Sequence, residues 1–182
     1  MKKINVTKEQ YTTILLLLMI FVFGGVFGFI YEELFYRIDL GHFVKRGTTL
    51  GPWIPIYGFG AVSIVLATER LKKNPFLVFL TAAAVSGIIE FATGYLLLHS
   101  LEIRLWDYNV EIWNWCNVGG YVCLRSILFF GISALFLQYI VQPVLLELCR
   151  KSEKVVSGIT GTMAVLFTID ILGALVRLLK IR

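Results

Sequence analysis

Long apolar runs alternate with short polar ones along this chain. The runs cover residues 12–31, 55–68, 75–98, 118–148 and 155–179. Four of the five approach or exceed the ~18–20 residues that cross the hydrocarbon core of a bilayer. The pattern predicts an all-α, polytopic transmembrane helix bundle of about five spans, with residues 1–182 as a single integral membrane domain. Six spans result if 32–55 dips into the membrane and out again. Gly24, Gly25 and Gly28 in the first run permit close helix approach. Pro75 suits the first turn of the third. The fourth run, at about 31 residues, exceeds what a bilayer needs. It must tilt, kink near Gly131, or finish as an interfacial helix around Pro143.

One stretch fits neither a surface loop nor a plain helix: RGTTLGPWIPIYGFG, residues 46–60. Pro52 and Pro55 lack backbone donors, and Gly47, Gly51, Gly58 and Gly60 permit turns and close packing. Irregular backbone at membrane depth is tolerated only against protein or water. The stretch is therefore expected to be a re-entrant or broken segment over a cavity; a tight entry turn into the second span is the alternative.

Composition supports a membrane protein. Of 182 residues 58% are hydrophobic, more apolar surface than a soluble domain of this size can bury. No polar linker separates a second domain. The net charge of +5 comes from basic residues scattered near span ends, which suits lipid headgroups and not nucleic acid. An N-terminus inside places nine basic residues on the cytoplasmic side and seven outside, so a cytoplasmic N-terminus is expected. The N-terminal run lacks an A-x-A cleavage site and reads as an uncleaved first span. Cys116, Cys123 and Cys149 have no metal spacing and read as buried small hydrophobes.

In either orientation the 46–60 stretch and the 99–117 loop share one side, because two spans separate them. The loop reads HSLEIRLWDYNVEIWNWCN, with Trp106, Tyr108, Trp113 and Trp115 as an aromatic belt. Glu90, Arg125 and Asp170 are charged residues within apolar runs, each costing roughly 2.5–3.5 kcal/mol at a helix centre unless partnered. Counted along the helices they lie about 10–12 Å below one face. Arg125 is expected to pair with Glu90 or Asp170. That layer is either a structural ion pair or a charged cavity. Glu32, Glu33, Arg46, Tyr57, Asp107 and Asn117 converge on the same region. The candidate ligand-binding set is Glu32, Arg46, Tyr57, Glu90, Trp106, Asp107, Tyr108, Asn117, Arg125 and Asp170. Of Glu32 and Glu33, one is expected to face the bundle and the other the headgroups.

A glycine-rich span ending in Glu32, then RGTTLGPWIPIYGFGA, SGIIEF around Glu90, LWDYN and NVGGYVCL follow one another in this order. Together they resemble the bacterial family labelled putative ABC-transporter type IV, from about Gly24 to Pro143. The resemblance implies a small polytopic protein of the bacterial cytoplasmic membrane, linked to transport. Members often carry an acidic residue where Leu98 stands and a basic one where Tyr121 stands, so a site built on those charges differs here.

Three functions follow. The first is a transporter-related subunit, substrate-binding or accessory, for a small polar or amphipathic solute. The chain has no G-x4-GK-[ST] phosphate loop, so in an ATP-driven system a separate ATPase subunit would supply energy; five or six spans are few for a monomeric translocator, so the chain forms a homo-oligomer or serves as a substrate-binding or accessory subunit. In that reading Arg125 faces an anionic group. The second is a membrane-embedded enzyme acting on lipid-linked substrates, with Glu90 and Asp107 as acid and base and His42 and His99 nearby. No motif assigns a catalytic residue, a metal or a cofactor. The third is an assembly partner docking through Ala82, Ala83, Ser86 and Gly87.

Overall fold

The computed structural model describes residues 7–180, with side chains through Arg177. Lys2, Lys3 and Arg182 from the charge count lie outside the described residues. The chain forms α1 (Lys8–Leu40), α2 (Pro55–Thr68), α3 (Pro75–Leu101), α4 (Leu124–Phe136), α5 (Gln142–Lys151) and α6 (Glu153–Lys180). A single-turn 3-10 helix, Glu69–Leu71, follows α2, and a π turn, Leu137–Val141, joins α4 to α5. Among the described residues four stretches are long and apolar enough to cross a membrane: Lys8–Leu40, Pro75–Leu101, Leu124–Lys151 and Glu153–Arg177. α2, at 14 residues, is a shorter fifth helix among them.

α1 opens on a capping box. Gln10 N–H donates to Thr7 Oγ1 at 3.2 Å and Thr7 N–H to Gln10 Oε1 at 2.9 Å. It runs well past Tyr31 to Leu40 and stops at Gly41, whose φ of 77° is left-handed. The extra turns carry Glu32, Glu33, Tyr36 and Asp39, which find partners in the loops. Polarity there is satisfied by protein, so it does not end the helix.

The chain then turns back into the bundle. Ile54 N–H donates to Gly25 O at 2.9 Å. Gly25 lies fifteen residues before the end of α1, roughly 22 Å along its axis. So α2 begins at mid-depth, and 46–54 is re-entrant. Most of its backbone donors find partners in the protein, as depth demands. Leu50 and Gly51 N–H donate to Asp170, at 2.9 and 2.7 Å, and Trp53 N–H to Gly51 O at 2.9 Å. Pro52 and Pro55 have none to satisfy. Trp53 stacks on Phe167 at 4.7 Å between centroids. The irregular part thus packs between α1 and α6, and only its helical continuation reaches the cavity described below.

α3 matches its apolar run closely, with Asn74 capping Phe76 and Leu77 N–H at 3.1 and 3.3 Å. The fourth span is shorter than the pattern predicts. Residues 118–123 form a turn, closed by an isolated Val118–Val122 bridge, and α4 starts only at Leu124. The break is not at Gly131, where α3 approaches closely: a Cβ there would lie 2.6 Å from the Phe79 ring. It is the π turn before Pro143, whose ring clashes with the carbonyl four residues back in a regular helix.

Away from the loops the helices close tightly. Leu15, Leu16 and Ile20 of α1 pack with Ala61 and Val65 of α2, Leu137 and Val141 of the π turn, and Cys149 of α5. Ala82, Ala83 and Ser86 are buried in their own bundle and present no docking face. Cys123 and Cys149 are buried as expected, whereas Cys116 is exposed.

Candidate functional site

Between α1, α2, α3 and α4, on the loop side of that core, lies a cavity of about 90 Å³. Its walls are aromatic: Phe27 and Tyr31 from α1, Tyr57 from α2, Phe129 and Phe130 from α4. Tyr31 and Phe129 stack at 3.7 Å between centroids, bridging α1 and α4. Tyr57 lies 5.5 Å from Phe130. Glycines make the α1–α2 wall possible. A Cβ on Gly24 would sit 2.6 Å from Ala61 Cβ, and one on Gly28 would overlap the Tyr57 ring.

The other end is charged. Arg125, in the first turn of α4, pairs with Glu111 at 2.6 Å and donates to Ile112 O at 2.7 Å. Its guanidinium lies over Phe35 at 4.0 Å and Tyr108 at 5.2 Å. Glu111 also accepts from the Tyr36 hydroxyl. Arg46 pairs with Glu32 at 2.9 Å and covers the Tyr36 ring at 3.7 Å. Glu33 accepts from Arg46 N–H at 3.2 Å, so it faces the re-entrant segment and not the headgroups. Glu90 lines the cavity from α3 at 7% exposure. Tyr108 donates to its Oε1 at 2.5 Å; among the described residues its Oε2 has no partner. Burial pushes the Tyr108 phenol well above its ordinary range, and the Glu90 carboxylate adds to this.

The loop after α3 is an ordered cap. Arg104 pairs with Asp107 at 2.5 Å and donates to Gly119 O at 2.8 Å. Asp107 also accepts from Asn109 N–H at 3.0 Å. Asn117 donates to Asn109 Oδ1 at 2.7 Å and accepts from Gly120 N–H at 2.9 Å. Gly120, at φ 81°, is enclosed by Asp107, Asn109 and Arg104 and leaves no room for a side chain. The Trp106 indole donates to Tyr121 O at 3.0 Å. This holds Trp106 and Tyr108 against the cavity.

Six residues of the sequence-derived set therefore line the cavity: Glu32, Tyr57, Glu90, Trp106, Tyr108 and Arg125. Arg46 stands behind Glu32. Asp107 and Asn117 build the cap and do not line the cavity. Asp170 does not join the layer. Its carboxylate holds Leu50, Gly51 and the Trp53 indole, with Arg177 at 3.6 Å. The expected pairing of Arg125 with Glu90 or Asp170 is corrected to Glu111, because the turn at 118–123 keeps Arg125 beside the cap. Glu111 was missed by the sequence reading. A signal existed: Arg104 and Asp107 satisfy each other at i,i+3, which leaves Glu111 as the free acid in LWDYNVEIW.

Membrane-length helices around a cavity with one charged end define a multi-pass membrane protein. Residues 19–175 match the family described as putative ABC-transporter type IV, and the chain belongs to it. No characterised protein and no solved structure shows significant similarity to the chain.

Proposed function

We propose that the chain is a transport-related subunit, substrate-binding or accessory, that holds a small amphipathic solute in the aromatic cavity. The observation that carries this reading is the cavity's polarity: aromatic rings along its length, and ionisable groups with unmet hydrogen-bonding capacity at one end. Such a site takes an apolar body and fixes one polar head. A separate ATPase subunit or self-association would couple binding to movement. The setting proposed is the bacterial cytoplasmic membrane with the N-terminus inside. An enzyme built on Glu90 and Asp107 lacks support, since Asp107 is held in the cap by Arg104.

A thermal-shift screen of small amphiphiles on the purified chain tests the reading. Ser133 and Gly60 line the cavity, and a Cβ on Gly60 meets open space. A true solute stabilises the wild type and loses that effect in Ser133→Phe and Gly60→Leu. If every stabilising compound acts equally on the cavity-filled variants, the reading fails.

A further inference from the structure

We infer that the head group bound in this cavity is a primary ammonium, held by Glu90; this inference rests on the amphipathic-solute reading above. Three carboxylates, Glu32, Glu90 and Glu111, meet two guanidiniums, Arg46 and Arg125, at the charged end. Each guanidinium already holds a carboxylate, and among the described residues only the Nε of Arg125 is left without a partner. Arg46 serves Glu32 through Nε, and Arg125 serves Glu111 and Ile112 O through its terminal nitrogens. Glu90 is the surplus acid. Its neighbours with hydrogen to give are the Tyr108 hydroxyl, which donates to Oε1, and Ser126 Oγ, which donates to Cys123 O. Glu90 lines the cavity, and its buried Oε2 has no partner among the described residues. Ionising a buried carboxyl group without a counter-charge is expensive at this depth, and a cation beside it removes that cost.

An ammonium meets each requirement at once. It supplies the missing charge and a donor to Oε2. It also lies among the faces of Tyr31, Tyr57, Phe129 and Phe130, which attract cations and repel anions. An anionic head would face the surplus carboxylate and find both guanidiniums already paired with carboxylates, with only the Nε–H of Arg125 to receive it. Size narrows the class further. About 90 Å³ exceeds the ~10–15 Å³ that admits one water, so the cavity has room for a small head group and part of a narrow tail. A primary ammonium on a slender alkyl chain fits, and a bulky polyaromatic cation does not.

The test uses three probes of equal length: hexylammonium, hexanoate and hexanol. Their equilibrium binding to the full chain in lipid nanodiscs is measured at neutral pH, with partition into protein-free discs subtracted. Hexylammonium is expected to bind at least about tenfold more tightly than either control. Glu90→Gln should bring it to the level of hexanol, and Glu90→Asp should retain part of the preference. Hexanol or hexanoate binding as tightly as hexylammonium overturns the ammonium assignment while leaving the amphipathic cavity standing. So does a preference undiminished in Glu90→Gln. Should Glu90 variants not fold, the three-probe comparison on the wild type still decides. No binding by any probe, with no effect of Ser133→Phe, sinks the cavity reading itself and this inference with it.

Discussion

Arg125 reaches Glu111 at 2.6 Å across the cap loop and not Glu90 on the neighbouring helix. The side chains are 12% and 4% exposed, and Tyr36 of α1 donates to the same carboxylate. One acid in a loop thus ties the start of α4 to the far end of α1. Removing one member of a buried pair leaves the other unpaired, at a cost of about 3–5 kcal/mol. Arg125→Met and Glu111→Leu alone should each lower the unfolding temperature in detergent. The double variant should recover most of the loss. Arg125→Met combined with Glu90→Gln should not. Rescue by the Glu90 combination instead would refute the assignment of partners.

The re-entrant segment hangs on Asp170. Its carboxylate receives two backbone donors and the Trp53 indole, all from a stretch that has no helix to satisfy it. Asp170→Asn keeps the size but loses the charge and one acceptor. Hydrogen bonds to a charged group contribute about 1.5–3 kcal/mol each, so a loss of ~2 kcal/mol or more is expected. Hydrogen exchange should rise at Leu50, Gly51 and Trp53 and stay unchanged in α3. Uniform change across the bundle would mean that Asp170 supports more than this segment.

Two glycines on facing helices should respond oppositely to one methyl group. Gly28→Ala drives Cβ into Tyr57 and should destabilise the α1–α2 wall by about 1–3 kcal/mol. Gly60→Ala meets open space within α2 and should be neutral or stabilising by up to ~1 kcal/mol. Thermal unfolding of the pair checks this, and similar losses in both would contradict the described packing.

Much of the bundle was legible because bilayer thickness fixes the length of an apolar run. The third and fifth runs coincide with α3 and α6 to within a few residues. The ends of other helices were not, for two physical reasons. The last turns of α1 are polar yet helical, since Glu32, Glu33 and Asp39 bond to loop backbone and side chains that no local pattern reveals. Residues 118–123 are as apolar as a span, yet Gly119 and Gly120 turn them. Depth counted along the chain therefore misplaced Arg125. The cavity-lining residues Glu32, Tyr57, Glu90, Tyr108 and Arg125 were visible as polar groups in apolar surroundings. Their partners were not, because pairing depends on tertiary distance. Asp170 has the same local signature and serves a different purpose.

Tyr108 donates to one oxygen of Glu90 at 2.5 Å, and the other oxygen has no partner among the described residues. Tyr108→Phe keeps the ring over which Arg125 lies and removes only the hydroxyl. It takes from a buried carboxyl group its 2.5 Å hydrogen bond, so a cost of about 1–3 kcal/mol is expected. The phenol's pKa is raised in the fold by burial, then by Glu90. Its neutral form is therefore favoured when folded. The stability it brings is fully present below its unfolded value of about 10 and declines as pH rises past that value. The wild type should lose stability in this alkaline window more steeply than Tyr108→Phe, measured as unfolding temperature against pH. Parallel curves for the two proteins would show that the Tyr108 hydroxyl is not held as described.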